Sequence, residues 1–598
     1  MIKFNSRVQK LLYFLMNGEL SMKNKKSNTI LIIQGVLFII LIIGAAYAYL
    51  GTFNINLNNN VAVNINSTSP GNLSFIANST QLNLQVPDTS MTKYNANNNV
   101  AAKEDTGFVD ITLTGTEGFL TTCSYDLAYE YNTNSDIYGK TVPVTTGATK
   151  EITIEVNGMN GNNHFATETN FNFDTSKGWS NATSTKGAKV TLVTGATLKS
   201  LGSEQSVRWK VTGRYYNLDL NQYALSGKSF TGKIYVENVN CSTEDGSSVK
   251  KGYETILANN GGKTAIEAKT ANFTTIETSN AGMYSYTEGT GKTYYYRGAV
   301  DNNWVKYGKF KEDQIVYRGF RDENSTDIYI DYPTLTDCQT GVNYDSTYNY
   351  KCKEVTYAHK GDDMYWRIIR VDKDNKIKMI YAGSKAPSES TKVAITGANT
   401  NMGMTAYNND YNNAEYVGFQ YTTGSQRGTT TNSTIKTYLD NWYTKYFNEN
   451  VGTSRFSQTT FCNDRNTSST WASTFRSFDY APYTRLSADT PTPTFECNTE
   501  DVVTNNFGLI TADEIVLAGG KLKTDNSAFY LNNNTVYWAG SPYGFNISYS
   551  FVFALNRLAG LSYDIVYGRN VAARGVVSLS SESKLLGSGK YNDVYTVN

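Results

Sequence analysis

Short runs of alternating apolar and polar residues recur along most of the chain, and this period-two pattern is typical of β-strands with one buried face. Between residues 107 and 236 such runs are separated by turn signals, which predicts an antiparallel sandwich. The predicted strands cover residues 108–113, 124–131, 150–156, 189–193, 208–212 and 231–236. Trp209, in the fifth of these strands, is expected to fill the core between the two sheets.

After residue 280 the pattern becomes a mixture of hairpins and helices. Residues 293–300 and 304–307 flank a polar turn, as do residues 365–371 and 376–381, so two hairpins are predicted. Ser433 can cap a run whose apolar residues fall on one helical face, and Thr511 with Glu514 forms a capping box ahead of a second helix. A linker that contains a short helix around residues 253–258 is expected to precede this α+β part of the chain.

Residues 537–579 carry the candidate binding surface. They alternate aromatic and small polar residues between Gly and Asn turns, which predicts antiparallel strands with one face buried. Tyrosine buries a large area while losing few rotamers, so rings mixed with Asn, Ser and Gly are typical of recognition surfaces. The candidate ligand-binding residues are Trp538, Tyr543, Asn546, Tyr549, Tyr563, Tyr567 and Arg569. The alternative is that they are ordinary half-buried strand residues in a tyrosine-rich protein.

The stretch from Thr29 to Leu50 is uncharged and long enough to cross a bilayer as a helix. Basic residues precede it and no charged residue follows before Asp88, so the positive-inside rule places the N-terminus in the cytoplasm and the rest outside the cell. We expect a retained signal anchor in the cell membrane. The alternative is cleavage after the small residues around Ala48. Met22, which is followed by Lys and Asn residues, is an alternative start to Met1.

These patterns predict a multidomain protein of the following parts: a basic cytoplasmic segment (1–28), a transmembrane helix (29–50), an all-β sandwich that serves as a stalk (51–245), a linker (246–280) and an α+β domain (281–598). The chain length alone favours roughly three or four domains.

Composition excludes several kinds of chemistry. The 54 basic and 53 acidic residues nearly balance and form no basic stripe, so nucleic acid is not an expected partner. With only two histidines, His164 and His359, far apart in the chain, histidine triads and multi-histidine metal sites are not expected. No cofactor is expected. The acidic turn at residues 372–375 lacks the spacing of an EF-hand, although calcium dependence stays open.

The six cysteines fit export to an oxidising compartment. They form no CxxC pair and therefore lack metal-ligand spacing. The simplest arrangement pairs them in order, Cys123 with Cys241, Cys338 with Cys352 and Cys462 with Cys497, so that each disulfide stays inside one domain. Fifteen connectivities are possible in principle.

Residues 290–598 resemble a family of secreted or anchored bacterial proteins that share an order of motifs. The motifs are YRGAV at 296–300, YWRIIR at 365–370, EYVG at 415–418, DNWY at 440–443, FCNDR at 461–465, GLITADE at 508–514 and RGVVSL at 574–579. The family resembles a C-type-lectin-like fold, related in architecture to formylglycine-generating sulfatase-modifying proteins and to variable phage-type receptor-binding proteins. This resemblance implies that residues 537–579 form the last strands and the loops of the ligand face.

Two departures limit what the resemblance implies. The family usually has Pro where this chain has Gly575, and the paired active-site cysteines of the formylglycine-generating enzymes have no counterpart here. A shorter stretch, residues 216–234, resembles the ends of secreted camelysin-type matrix proteins.

The expected function is binding: a surface protein of the adhesin or receptor type that recognises a glycan or a protein through residues 281–598. The alternative is a structural component of the cell envelope or matrix without a specific ligand. An enzyme is not expected, because Asp464, Asp513, Glu514 and Asp564 each have a structural interpretation as a cap or turn residue. Whether the C-terminal segment is diversified between related copies stays open.

Overall fold

The computed structural model of the protein describes residues 53–57, 63–67, 73–79, 81–86, 102–131, 152–158, 169–172, 189–215, 226–320, 329–340, 351–448 and 455–598. The described residues up to 245 form a β-sandwich, and those from 252 to 598 form a larger and mostly β body, called the head. Each has its own hydrophobic core.

The sandwich is built from two mixed sheets. Its strands are β1 (Phe53–Leu57), β2 (Val63–Ser67), β3 (Leu73–Ser79), β4 (Gln81–Gln85), β5 (Lys103–Thr114), β6 (Phe119–Tyr131), β7 (Ile152–Gly158), β8 (Thr169–Asn172), β9 (Lys189–Ser200), β10 (Glu204–Tyr215) and β11 (Ser229–Asp245). One sheet has the order β1-β3-β5-β10-β7-β8, and the other has the order β2-β11-β6-β9 with β4 beside β11. The six predicted strands are confirmed. The pairs β1–β3 and β2–β11 are parallel, so the sandwich is not wholly antiparallel.

The core of the sandwich follows from the period-two pattern. Along β5 every second residue is buried, so Val109, Ile111 and Leu113 face the other sheet. Trp209 on β10 is fully buried, as expected, and its indole N–H donates to the hydroxyl of Tyr125 on the opposite sheet at 3.0 Å. Trp209 therefore joins the two sheets by packing and by a hydrogen bond.

The head begins with two helices, α1 (Gly252–Asn259) and α2 (Gly262–Glu267), which bury Ile256, Leu257 and Ile266 in its core. The short helix predicted near residue 253 is confirmed. The further elements are β12 (Asn280–Glu288), β13 (Gly291–Gly298), β14 (Trp304–Phe310), β15 (Gln314–Phe320), β16 (Tyr329–Tyr332), α3 (Leu335–Thr340), β17 (Lys351–Ala358), β18 (Asp363–Val371), β19 (Ile377–Gly383), β20 (Gly403–Met404), β21 (Gln420–Tyr421), β22 (Thr431–Asn432), α4 (Thr434–Tyr446), β23 (Phe447–Asn448), β24 (Thr459–Cys462), β25 (Ser477–Asp479), α5 (Ala481–Leu486), β26 (Val502–Asn505), α6 (Ala512–Leu517), β27 (Tyr537–Asn546), β28 (Ser550–Leu555), β29 (Leu561–Ile565), β30 (Ala572–Ala573), β31 (Val576–Leu579), β32 (Leu585–Leu586) and β33 (Tyr595–Val597).

Two sheets dominate the head. The first has nine strands: its path is β12-β13-β18-β14-β33-β32, β19 joins β18 to β31, and β23 lies beside β14. The second, called the β27 sheet, has the order β20-β30-β27-β28-β29 with β25 beside β27. Smaller sheets are formed by β16-β15-β17, β21-β22 and β24-β26. Four of the candidate residues, Trp538, Tyr543, Asn546 and Tyr563, lie on strands of the β27 sheet, and Tyr549, Tyr567 and Arg569 lie in its connecting turns.

One of the two predicted hairpins is wrong. β13 and β14 do not pair with each other, because both pair with the same edge of β18, one after the other: Tyr294 pairs with Val371 and Trp304 with Arg367. β19 occupies the opposite edge of β18. The second hairpin, β18 with β19, is confirmed.

Both predicted helices of the head are confirmed together with their caps. The hydroxyl of Ser433 accepts the N–H of Lys436 at 3.3 Å at the start of α4. At the start of α6, Thr511 accepts the N–H of Glu514 at 3.1 Å, and the Glu514 carboxylate accepts the N–H of Thr511 at 2.9 Å. These bonds satisfy N–H groups that a helix end would otherwise leave unpaired.

The sequential disulfide pairing is confirmed. The structure joins Cys123 to Cys241, Cys338 to Cys352 and Cys462 to Cys497. The first links the neighbouring strands β6 and β11 of the sandwich, and the other two lie in the head.

The predicted fold class and localisation, with a transmembrane helix and a single-pass anchor, are contradicted. Over the described residues, which begin at Phe53, no helix combines the length and the apolar character needed to span a bilayer. The longest of them, α4, has 13 residues. At about 1.5 Å per residue it extends about 20 Å, whereas the hydrocarbon layer is about 30 Å thick. The segment from Thr29 to Leu50 and the basic residues 1–28 lie outside the described residues.

The sandwich contacts the nine-stranded sheet of the head. Lys306 on β14 donates to the carbonyl of Ser206 at 2.8 Å. The side-chain oxygen of Asn598 accepts the hydroxyl of Ser203 at 2.7 Å and the N–H of Leu201 at 3.2 Å. These contacts involve β14 and the end of β33, whereas the candidate residues lie on the strands and connecting turns of the other large sheet.

Candidate functional site

Of the seven candidate residues, Trp538 does not reach the surface. Tyr537 and Trp538 are both fully buried. Since consecutive strand residues face opposite sides, β27 is covered on both faces at this point. The indole N–H of Trp538 donates to the carbonyl of Thr405 at 2.8 Å, and its ring contacts Tyr407 edge-on. The expectation that Trp538 lies on the exposed face is wrong, and it is a core residue.

Tyr543, Asn546 and Tyr563 lie together in an open groove of about 510 Å³, called here the tyrosine groove. It runs across β25, β27, β28 and β29 of the β27 sheet. Its other lining residues are Ser468, Ser469, Ser477, Phe478, Asp479, Gly544, Phe545 and Phe551. A volume of this size falls within the range of small-ligand sites, roughly 300–1,000 Å³.

The rings of the groove are held by one another. Tyr543 and Tyr563 stack with 3.9 Å between ring centroids and 22° between planes. Tyr483 from α5 lies 4.5 Å from Tyr543, and Phe551 meets Tyr563 edge-on at 5.7 Å. Tyr563 nevertheless remains 43% exposed. Its position is therefore fixed before any ligand arrives, which lowers the entropy lost on binding.

The groove combines neutral hydroxyls with one carboxylate. Burial raises the pKa of Tyr543 well above its ordinary value, and Tyr483, Tyr563 and Asp479 raise it further. The Tyr543 hydroxyl thus keeps its proton at physiological pH and can donate a hydrogen bond. Of the described residues that line the groove, Asp479 alone carries a charge, and its side chain is exposed.

One wall of the groove comes from the loop closed by the Cys462–Cys497 disulfide, whose cysteines are 35 positions apart. Ser468 donates its N–H to the carbonyl of Asp479 at 2.9 Å, and Asp479 donates its N–H to the Ser468 hydroxyl at 3.2 Å. Sequence reasoning missed these residues. Only the pair of cysteines around the loop hinted that it forms a unit, and nothing in the sequence placed it against β27.

Beside the groove lies a second group of rings, called the tyrosine cluster: Tyr411, Tyr549 and Tyr567. Tyr411 stacks on Tyr549 at 5.5 Å and contacts Tyr567 at 4.7 Å. Asn546 accepts the N–H of Tyr549 at 3.0 Å and so closes the turn between β27 and β28. The seventh candidate, Arg569, is half-buried two positions after Tyr567.

Two exposed apolar residues mark the end of β25 and β27. Phe475 is 87% and Ile547 52% exposed, and the pairing of Ser477 with Asn546 brings their two segments side by side. Both have left-handed backbone, with φ of 62° and 70°. This conformation costs a side-chain-bearing residue about 1–2 kcal/mol, and such strain is concentrated at functional sites.

Three of the four acids considered in the sequence come together elsewhere in the head, in a buried ionic network. Arg485 binds Asp464 at 2.6 Å and Asp513 at 2.7 Å. Glu514 accepts Arg370 and Lys378, each at 2.9 Å. The cavity between them is only about 20 Å³, which is room for a single water. The fourth acid, Asp564, accepts its neighbour's N–H at Ile565. The paired carboxylates have a structural role in packing the head.

Over the described residues, no group of three or more His, Cys, Asp or Glu side chains is placed to hold a metal ion.

Comparison of the chain with protein-family models gave no match, and comparison with curated proteins gave no significantly similar sequence.

Proposed function

We propose that the protein is a carbohydrate-binding protein and that its ligand lies in the tyrosine groove. The observation that supports this most is the position of Tyr563: it is stacked on Tyr543 and still has 43% of its surface exposed in the groove. The apolar face of a sugar ring packs well on an aromatic ring that is already held in place.

The polar residues of the groove suit the hydroxyls of a sugar. Ser468, Ser469, Ser477 and Asn546 are all exposed along its rim. Hydroxyl and amide groups both donate and accept hydrogen bonds, as sugar hydroxyls do. The motif order that resembles C-type-lectin-like proteins agrees with a recognition role for this end of the chain.

The three disulfides support a site of action outside the reducing cytoplasm. All six cysteines are paired, and disulfides form and persist in oxidising compartments. Free glycans and glycan-coated surfaces are available in such compartments.

The proposal is tested by probing a glycan array with the protein and with two variants. Tyr563→Ala removes the exposed ring of the stack, and we expect it to weaken binding of every hit by roughly tenfold or more, the effect of losing a central aromatic contact. Leu558→Ala is the matched control: Leu558 is a 54% exposed apolar residue in the β28–β29 turn, at the other end of the strands from Ile547. Its hits should match those of the unchanged protein.

Absence of glycan hits together with hits on a protein array would overturn the proposal in favour of a protein ligand. Glycan binding that is equally strong in Tyr563→Ala and in the unchanged protein would show that the glycan binds elsewhere. Absence of hits on both arrays, with concentration-dependent assembly of the protein into fibres, would favour a structural component instead.

A further inference from the structure

We infer that the tyrosine groove selects a glycan that carries free amino groups, and that Asp479 is the residue that makes this selection. The inference rests on the proposed function, since it specifies the charge of the ligand that the groove accepts.

The described lining of the groove carries a single charged side chain. Eleven residues line the groove, and Asp479 is the charged one among them. Its carboxylate forms no salt bridge with any residue that the structure describes, unlike Asp464, Asp513 and Glu514 in the buried network. A ligand therefore meets an uncompensated negative charge, which favours a cation and disfavours phosphate, sulfate or carboxylate groups.

The charge of Asp479 lies beside the stacked rings of the groove. Asp479 pairs with Gly544 across β25 and β27, next to Tyr543 in the ring stack. Gly544 has no side chain to cover the carboxylate: a Cβ there would lie 3.5 Å from Oδ1 of Asp479 and 3.4 Å from the carbonyl oxygen of Phe478. The carboxylate thus faces the groove floor, directly beside the aromatic platform.

The aromatic rings and hydroxyls around Asp479 suit an amino sugar better than a lysine side chain. An ammonium group attracts both the carboxylate and the faces of nearby tyrosine rings. An amino sugar presents that ammonium on a ring whose apolar face can stack on Tyr563 while its hydroxyls reach Ser468, Ser469 and Ser477. A lysine side chain offers the same charge on a flexible stem without these hydroxyls, and it would lose more rotamer freedom. The lining therefore favours the sugar.

The test compares the binding of chitosan oligosaccharides, which have free amines, with that of chitin oligosaccharides of equal length, which have acetylated amines. Titration calorimetry with the full chain near pH 6 should give about fivefold tighter binding of chitosan, the factor supplied by an exposed ion pair of about 1 kcal/mol. Higher salt should reduce this ratio. In Asp479→Asn the ratio should fall to about one.

Asp489→Asn is the matched control, because it removes an exposed acid from the same disulfide-closed loop outside the groove, and it should keep the fivefold ratio. Equal binding of both sugars by the unchanged protein, with Tyr563 still required, would overturn the amine preference and leave the glycan proposal standing. Binding of neither sugar while a lysine-rich peptide binds would overturn both. An unchanged ratio in Asp479→Asn would show that another group selects the amine.

Discussion

Two cationic side chains meet at one carboxylate in the interior of the head, where Arg370 and Lys378 both donate to Oε1 of Glu514. Burial by itself would raise the pKa of Glu514, but Lys378, Arg370 and the N–H of Thr511 outweigh it and lower that pKa to about 2. An unfolded glutamate titrates near 4.3. Ionised Glu514 therefore contributes stability above that value, and the contribution is lost as the pH falls toward 2.

We expect Glu514→Gln to lower the free energy of unfolding by about 3–5 kcal/mol at pH 7, because it leaves two buried cations without their partner. The difference between the two proteins should shrink below about pH 4, where this glutamate takes up a proton in the unfolded chain but stays ionised in the folded protein. Urea unfolding of both proteins at pH 7 and at pH 3 measures this difference in the free energy of unfolding. Glu582→Gln, at an exposed ion pair with Lys251, is the control and should change little at either pH. A difference that is the same at both pH values would contradict the assignment of the low pKa.

Gly544 offers a second prediction at the residue scale. Its φ lies outside the left-handed region, and a Cβ would make only ordinary contacts, so the fold does not require glycine at this position. We expect Gly544→Ala to leave the melting temperature unchanged or slightly higher, since glycine in a strand costs about 0.5–1 kcal/mol. The added methyl group narrows the groove beside Asp479 and should weaken ligand binding by an overpacking cost of about 1 kcal/mol or more. Unchanged affinity would place the ligand away from the β25–β27 pair.

At this scale the sequence shows which residues are candidates but not which of them face the solvent. Tyr563 and Trp538 have the same kind of aromatic–polar neighbourhood in the sequence, yet the first lines the groove and the second is core. Alternation exposes a residue only where one face of the strand is uncovered. β27 has buried residues on both faces, and a single sequence gives no sign of what covers the second face.

Among the elements, the loop closed by Cys462 and Cys497 matters most for the site, because it supplies Ser468, Ser469 and Asp479. Replacing both cysteines with serine should lower the free energy of unfolding by about 4 kcal/mol in the chain-entropy treatment. Ligand affinity should fall as well, since the wall of the groove would become mobile. Calorimetric melting and ligand titration at a temperature where the variant is folded measure the two effects.

The Cys338–Cys352 pair is the control for this experiment. Its closed loop is shorter, because the two cysteines are 14 positions apart, and neither cysteine lines the groove. Replacing this pair should cost about 3 kcal/mol of stability and leave the affinity unchanged. Equal losses of affinity in the two double variants would show that the groove depends on global stability and not on the loop.

Elements whose signals are local were predicted well, whereas the partners of β13 and β14 were not. The caps of α4 and α6 and the β18–β19 hairpin are encoded within a few residues, so the sequence reveals them. The succession of β13 and β14 along one edge of β18 joins strands that are about 60 to 75 positions apart in the sequence, and no local signal encodes it. A polar turn between two predicted strands shows where the chain bends but not which strand each of them pairs with.

At the scale of the whole molecule, amphipathic patterns and a change in composition predicted a sandwich followed by a second body, but not how the two touch. Gln205 on β10 donates to the carbonyl of Val597 at 3.3 Å, across most of the length of the chain. Lys306, whose pKa is lowered by burial, lies at the same junction. Contacts of this kind leave no periodic trace in the sequence, because each involves a single residue of a strand.

The most direct measurement is a crystal structure of the protein soaked with the tightest-binding glycan. We expect electron density for a sugar ring that is stacked on Tyr563 and has its polar groups toward Ser468 and Asp479. Density on another surface of the head, with the tyrosine groove holding only water at saturating ligand, would contradict it.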